Sequence, residues 1–415
     1  MSRQITSYAL MALLFLTSTT LLTHGCSTTP TTNEQTQEKT VTESTKEATQ
    51  QEPSQQEPNQ QEPTQQEPTQ DTEADAGMEA PQPDNTTTPD TTEVEKTPIP
   101  EPQKDAAPAD VPASSEDYTQ QGPLTLAANT QASPTLPTST GCSGSKCKVF
   151  LNIDMPSAGN TTRKAPYPVI IFSNGFLLKA ERYKTYAERL AKWGYVVVRW
   201  DTNQESAFSA LAHNVLGKML VAIVDWLDAE NKKAGSALAG KLDMSKLMVA
   251  GHSRGGKISA LAAQSDARIK AIFGIDPVDS APPGQTNTHS AIKNMNKTSA
   301  PFATVGAGKS AGGFQPCAPA ADNYEKFFNA ATTKAWEIFL PEAGHMQFLD
   351  SQSGCFSCLA CSSGSLQDKE VREITQVALI AWAESTLRGA DISTYISGSW
   401  IQTLTQKGTA TSRSK

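Results

Sequence analysis

The stretch Val249-Ala250-Gly251-His252-Ser253-Arg254-Gly255-Gly256 fixes a local geometry that few folds provide. It reads G-x-S-x-G, after an apolar run over 246–250 that suits a buried strand and before a helix-like run over 257–264. A strand that turns at once into a helix lifts the serine hydroxyl clear of the sheet, and small residues at Gly251 and Gly255 let the backbone turn that sharply. Ser253 is therefore the candidate nucleophile. A random G-x-S-x-G turns up in roughly one chain in seven of this length, so the flanking strand and helix carry the argument.

From about residue 148 short apolar runs alternate with amphipathic stretches, which predicts strands and helices taken in turn. The strands are expected at 149–153, 168–173, 195–200, 242–250, 269–275, 301–305 and 335–340. Helices are expected at 181–193, where Tyr183, Tyr186, Ala187 and Leu190 share one face, at 208–227 and at 371–387. Near-continuous apolar strands separated by helices imply an α/β fold with a mostly parallel sheet covered on both faces. The active site of such a sheet lies at the carboxyl ends of its strands.

The rest of the 415 residues divides by composition. Residues 1–26 join Arg3, an apolar run over 8–22 that is short for a bilayer, and Gly25-Cys26. This is similar to a bacterial lipoprotein signal, which implies lipidation of Cys26 and a membrane-anchored place in the cell envelope; Thr23 stands where such signals usually have an aliphatic residue. Without lipidation the protein would be secreted. Residues 27–135 are rich in Thr, Gln, Glu and Pro, with four tandem Gln-Glu-Pro-x-Gln repeats over 51–70. So little apolar surface cannot offset ordering entropy, and a disordered tether with a reach of roughly 60 Å is expected. The catalytic domain is expected over 136–400, followed by a flexible tail over 401–415.

The net charge of −8 comes with no Lys/Arg cluster, so nucleic acid is not an expected partner; a monomer is. Setting Cys26 aside leaves six cysteines, Cys142, Cys147, Cys317, Cys355, Cys358 and Cys361. In an exported protein they suggest disulfides, of which Cys142 with Cys147 is the easiest to close, while fifteen pairings remain open. A zinc site on the Cys355 to Cys361 run with Cys317 is the minor alternative, since paired C-x-x-C halves are lacking.

A serine needs a base and the base an orienting acid, in the chain order serine, acid, histidine for this arrangement. Of five histidines, His24 lies in the leader, His213 precedes the serine, and His252 beside Ser253 points away from it. His289 falls in a polar insertion over 280–298 that suits a cap, which leaves His345, in the loop after the last strand, as the base. The loop after 301–305 reads Gly306-Ala307-Gly308 without a carboxylate. The acid is therefore sought after the preceding strand, where Asp276 comes first and Asp279 is the alternative. Two backbone amides must hold the oxyanion: Arg254, directly after the serine, and Phe176 in the Asn174-Gly175-Phe176 turn.

With these residues in place the chain resembles the chlorophyllase family of α/β-hydrolases. The resemblance rests on Gly251 to Lys257, Gly274-Ile275-Asp276-Pro277-Val278, Pro316-Cys317-Ala318-Pro319 with 323–328, and Gly344-His345-Met346 with Leu349-Asp350, over about 149–387. It implies an α/β-hydrolase fold, Ser253, Asp276 and His345 as the triad, and ester cleavage of the kind that yields chlorophyllide and phytol, with no metal or organic cofactor. Asn174 stands where the family usually has histidine, and 280–300 differs from the family pattern. The expected substrate is a small-molecule carboxylic ester with an apolar portion, given Phe176, Leu177, Leu178 and the apolar residues of 346–349. A polyester- or lipid-cleaving hydrolase of the same fold and a non-catalytic surface-binding lipoprotein are the alternatives.

Overall fold

The apolar runs become strands for the reason their composition implies: each is buried from both sides. The structure, a computed structural model, describes residues 116–415 apart from 158–162, 204–205, 207–208, 283–284 and 314–315. The expected leader, Cys26 anchor and most of the tether lie outside the described residues. The strands are β1 (Thr130–Ala132), β2 (Val149–Asp154), β3 (Tyr167–Ser173), β4 (Val196–Thr202), β5 (Leu242–His252), β6 (Ile269–Ile275), β7 (Phe302–Ala307), β8 (Ala335–Leu340) and β9 (Thr411–Ser414). They form one sheet in the order β1-β2-β4-β3-β5-β6-β7-β8-β9.

Strands β3 to β8 run parallel, and β1, β2 and β9 add antiparallel edges. Every residue of β3 and β7 is buried, as a doubly covered sheet requires. Alternation splits β3 between two cores: Ile170 and Phe172 face one, Val169 and Ile171 the other. Helices α1 (Lys184–Lys192) and α5 (Asp368–Arg388) cover the first face. The second is covered by α2 (His213–Lys232), α3 (Arg254–Ala263) and α4 (Tyr324–Ala330). Trp382 of α5 is fully buried and donates its indole N–H to the Ile272 carbonyl at 3.1 Å. Truncating such a residue to alanine typically costs about 3–5 kcal/mol.

The folded part extends past both expected boundaries, 136 and 400. The folded part is already present at residue 116, not 136. Tyr118 is fully buried between Trp193 and Tyr395, each with its ring centre 5.1 Å away. Arg189 holds the same segment through the Tyr118 and Thr119 carbonyls at 2.9 and 2.7 Å. At the other end 401–415 is no flexible tail. Helix α7 (Ser399–Gln406), which follows the short α6 (Ser393–Ile396), leads into β9. That strand pairs with β8, and Arg413 grips the Glu337 carboxylate at 2.7 and 2.9 Å. Polar composition concealed both, because an edge strand and a single anchored tyrosine need few apolar residues.

Two helices begin later than expected. The helix expected over 181–193 starts as a 3-10 turn, Ala180–Tyr183, and becomes α-helical only at Lys184. The one expected over 208–227 runs His213–Lys232, five residues later at each end. The cysteines pair as Cys142–Cys147, Cys317–Cys361 and Cys355–Cys358, so the thiolates of the zinc alternative are used in sulfur–sulfur bonds.

Candidate active site

Strand β5 ends at His252 and α3 begins at Arg254, leaving Ser253 alone at the turn with φ 56° and ψ −122°. A side chain rarely adopts this backbone, and the strain persists because the surroundings hold it. The Ser253 N–H donates to the Ile275 carbonyl at 2.9 Å, while its own carbonyl accepts from Gly256 at 3.0 Å and Val278 at 3.1 Å. The glycines are needed for closeness: a Cβ at Gly255 would stand 2.0 Å from the Ser173 oxygen, and one at Gly251 2.4 Å from the Gly255 carbonyl carbon. The sequence thus forces a serine to the carboxyl edge of the sheet.

The next strand end supplies a carboxylate. Asp276, also left-handed at φ 39°, is fully buried, and its Oδ2 lies 2.7 Å from His345 Nδ1. The same oxygen accepts from Ser310 Oγ at 2.5 Å, and Oδ1 accepts the Ala307 N–H at 3.2 Å. A buried carboxylate with three such partners is held in one orientation. His345 opens a 3-10 turn, His345–Phe348, and is itself buried. Gln347 secures that loop by accepting from the Gly344 and Gly364 amides and donating to Leu366 and Asp368. The disulfide Cys317–Cys361 joins the loop after β7, which carries Ser310, to the segment that follows His345.

On the other side of Ser253 the turn after β3 carries Asn174, Gly175 and Phe176. Asn174 donates its amide to the Leu178 carbonyl, and Leu177 is the third non-glycine residue with positive φ, at 57°. The Arg254 guanidinium lies 5.5 Å from the Phe176 ring centre and donates to the Gly175 carbonyl at 3.2 Å. The Arg254 side chain thereby ties the start of α3 to the turn expected to complete an oxyanion site. All three strained non-glycine residues among those described, Leu177, Ser253 and Asp276, belong to this region.

The alternatives are placed elsewhere. Asp279 accepts from Ser290 Oγ and the Ala291 amide and stands 3.5 Å from Lys257 Nζ, so it anchors the start of the 280–298 insertion instead of meeting His345. His289 is exposed, with Nδ1 2.9 Å from Thr288 Oγ1. His213 is buried on α2, and burial first, then Arg254 and Lys257, pushes its pKa down to about 2. Of the apolar residues read as pocket lining, Leu178, Met346, Phe348 and Leu349 belong to the core, and only Phe176 and Leu177 keep partial exposure. Ser310 and Gln347 carried no signal in the sequence: one lies in a Gly/Ala-rich loop and the other among apolar neighbours.

A mostly parallel sheet with helices on both faces and a serine raised at a strand-to-helix turn defines an α/β-hydrolase. A profile described as Chlorophyllase matches residues 151–397, well over half of the chain. The chain belongs to the chlorophyllase family. It is similar to Chlorophyllase-2 of Arabidopsis thaliana, 25% identical over 245 residues that cover 54% of this chain and 75% of that protein. It is also similar to Chlorophyllase-1 of the same plant, 26% identical over 240 residues covering 54% and 73%. A third relative is the chloroplastic Chlorophyllase-1 of Citrus unshiu, 26% identical over 245 residues covering 54% and 70%.

Proposed function

We propose that this chain is a carboxylic-ester hydrolase that works through an acyl-enzyme on Ser253. The observation that carries the reading is a buried Asp276–His345 contact of 2.7 Å, after β6 and β8, at the same carboxyl edge of the sheet as the strained Ser253 after β5. Ser253 Oγ attacks the ester carbonyl while His345 Nε2 takes its proton, and Asp276 holds the Nδ1–H and stabilises the imidazolium that forms. The Phe176 and Arg254 amides receive the developing oxyanion. As the intermediate collapses, His345 gives its proton to the leaving alcohol. Water then attacks the acyl carbon with His345 again as base, and Ser253 leaves as the alcohol. No bound group takes part in these steps.

The substrate we infer is an ester with an apolar portion, supported by partly exposed Phe176 and Leu177 beside the turn and by the relatives' names. We place the enzyme outside the cytoplasm, lipid-anchored through Cys26 in a bacterial envelope. Three disulfides suit an oxidising compartment. The test is hydrolysis of p-nitrophenyl butyrate, p-nitrophenyl palmitate and chlorophyll a by the purified full chain and its Ser253→Ala variant. Cleavage by the wild type alone supports the reading, and the ratio between substrates defines the pocket. Equal rates from both folded proteins on every substrate would overturn it in favour of a binding protein.

A further inference from the structure

Two buried side chains next to the reaction centre have no part in the steps above, yet they connect its two halves. The Gly175 N–H donates to Tyr183 Oη at 3.2 Å. Tyr183 Oη lies 2.8 Å from His252 Nδ1, and His252 Nε2 lies 2.9 Å from the His345 carbonyl oxygen. A carbonyl only accepts, so Nε2 carries the hydrogen. Burial, then the neighbouring His345, holds the His252 imidazole well below its ordinary pKa, so Nδ1 is bare and accepts. Burial also raises the Tyr183 phenol above its ordinary value, so it stays protonated and donates. Every polar role along the chain is therefore assigned, from the turn before Phe176 to the backbone of the base.

We propose that Tyr183 and His252 are positioning residues that set the spacing between the oxyanion turn and the His345 loop. This rests on Ser253 and His345 acting as proposed above. Both side chains are fully buried. The His252 ring centre is 4.6 Å from that of His345 and 5.8 Å from that of Phe348, and the Tyr183 ring is 5.0 Å from that of Phe172. A Cβ at Gly175 would stand 3.2 Å from His252 Nδ1 and 3.4 Å from Tyr183 Oη, so the turn is seated directly on the pair. The neighbour of the nucleophile thus points away from Ser253 and still acts on the reaction, through backbone groups at 175 and 345.

Tyr183→Phe keeps the ring contacts and removes both hydrogen bonds of the hydroxyl. His252→Asn keeps an acceptor toward Tyr183 and removes the donor to His345. In the full chain, active sites are counted with a fluorophosphonate, and kcat and KM for p-nitrophenyl butyrate are measured per counted site. Each single variant is expected to lose about ten- to a hundredfold in kcat, with KM within about twofold, because misplacement of reacting groups by an ångström or less costs on this scale. The double variant should fall no more than about threefold below the worse single, since both break one chain. Loss of thermal stability with unchanged kcat per site, or fully additive losses, would overturn the proposal and leave the pair as core packing. Wild type that takes no label at Ser253 would instead overturn the hydrolase reading. Should one single variant be recovered unfolded, the other decides, because each breaks a different link.

Discussion

Ser310→Ala is the substitution whose effect the geometry bounds most closely. It deletes one hydroxyl, buried and 2.5 Å from Asp276 Oδ2, and leaves the loop's backbone bonds, Ser310 N–H to Ala307 and Ala318 N–H to Ser310, in place. A hydrogen bond to a buried charged group contributes about 1.5–3 kcal/mol. Expressed entirely in the barrier this is about 10- to 150-fold in kcat, at about 1.4 kcal/mol per tenfold. Part of the loss also weakens the free enzyme, where Asp276 keeps its Ala307 and His345 contacts, so we expect kcat to fall about tenfold. KM should stay within about twofold, because Ser310 acts on the Asp276 carboxylate and not on bound ester. The assay is p-nitrophenyl butyrate hydrolysis per active site counted with a fluorophosphonate. A kcat within twofold of wild type in a correctly folded variant would refute the view that Ser310 fixes the orientation of Asp276.

Other outcomes can be checked in parallel. Asp276→Asn should lower kcat by about 10³- to 10⁴-fold, since the base would lose the acceptor that sets its tautomer. Asp279→Asn should leave activity per folded molecule within a few-fold while lowering Tm, because the buried Lys257 loses the counter-charge 3.5 Å away. Replacing Cys317 and Cys361 by serine opens a link across 44 residues of sequence, which corresponds to about 4 kcal/mol, or about 6 °C in Tm for a fold of this size. A shift below 1 °C by scanning calorimetry would contradict it. His213 is neutral in the folded state with its pKa pushed to about 2, so below its unfolded value the unfolded chain binds the extra proton. Its contribution is present above about pH 6.5 and is lost as pH falls, at up to about 1.4 kcal/mol per unit. Denaturant titrations should show a flatter acid slope for His213→Gln between pH 6 and 4, and an unchanged slope would exclude that role.

What could be read from the residues follows from how local each signal was. The turn at Ser253 is written in consecutive residues, and Asp276 and His345 follow from where strands end, so ordering the apolar runs suffices to nominate them. Tyr183 was legible only as one of four residues on a core-facing helix stripe. Its contact with His252, 69 positions away, depends on how the 3-10 turn ahead of α1 lies against the sheet. Ser310 and Gln347 are polar residues whose partners come from other loops, and no periodicity marks them. Residues 411–414, Thr-Ser-Arg-Ser, read as tail because an edge strand held by backbone pairing and polar contacts such as Arg413–Glu337 and Trp336–Ser412 needs no apolar alternation. The apolar residues of 346–349 misled in the opposite direction, since hydrophobicity alone does not separate pocket wall from core.

The central claim, that Ser253 is the nucleophile, is tested most directly by treating the full chain with diethyl p-nitrophenyl phosphate, releasing nitrophenol, and mapping the adduct by peptide mass spectrometry. One diethylphosphoryl group per molecule is expected, on Ser253, with esterase activity lost in proportion to labelling and no adduct in Ser253→Ala. An adduct on another residue that tracks the loss of activity, or full activity in a chain labelled at Ser253, would contradict it.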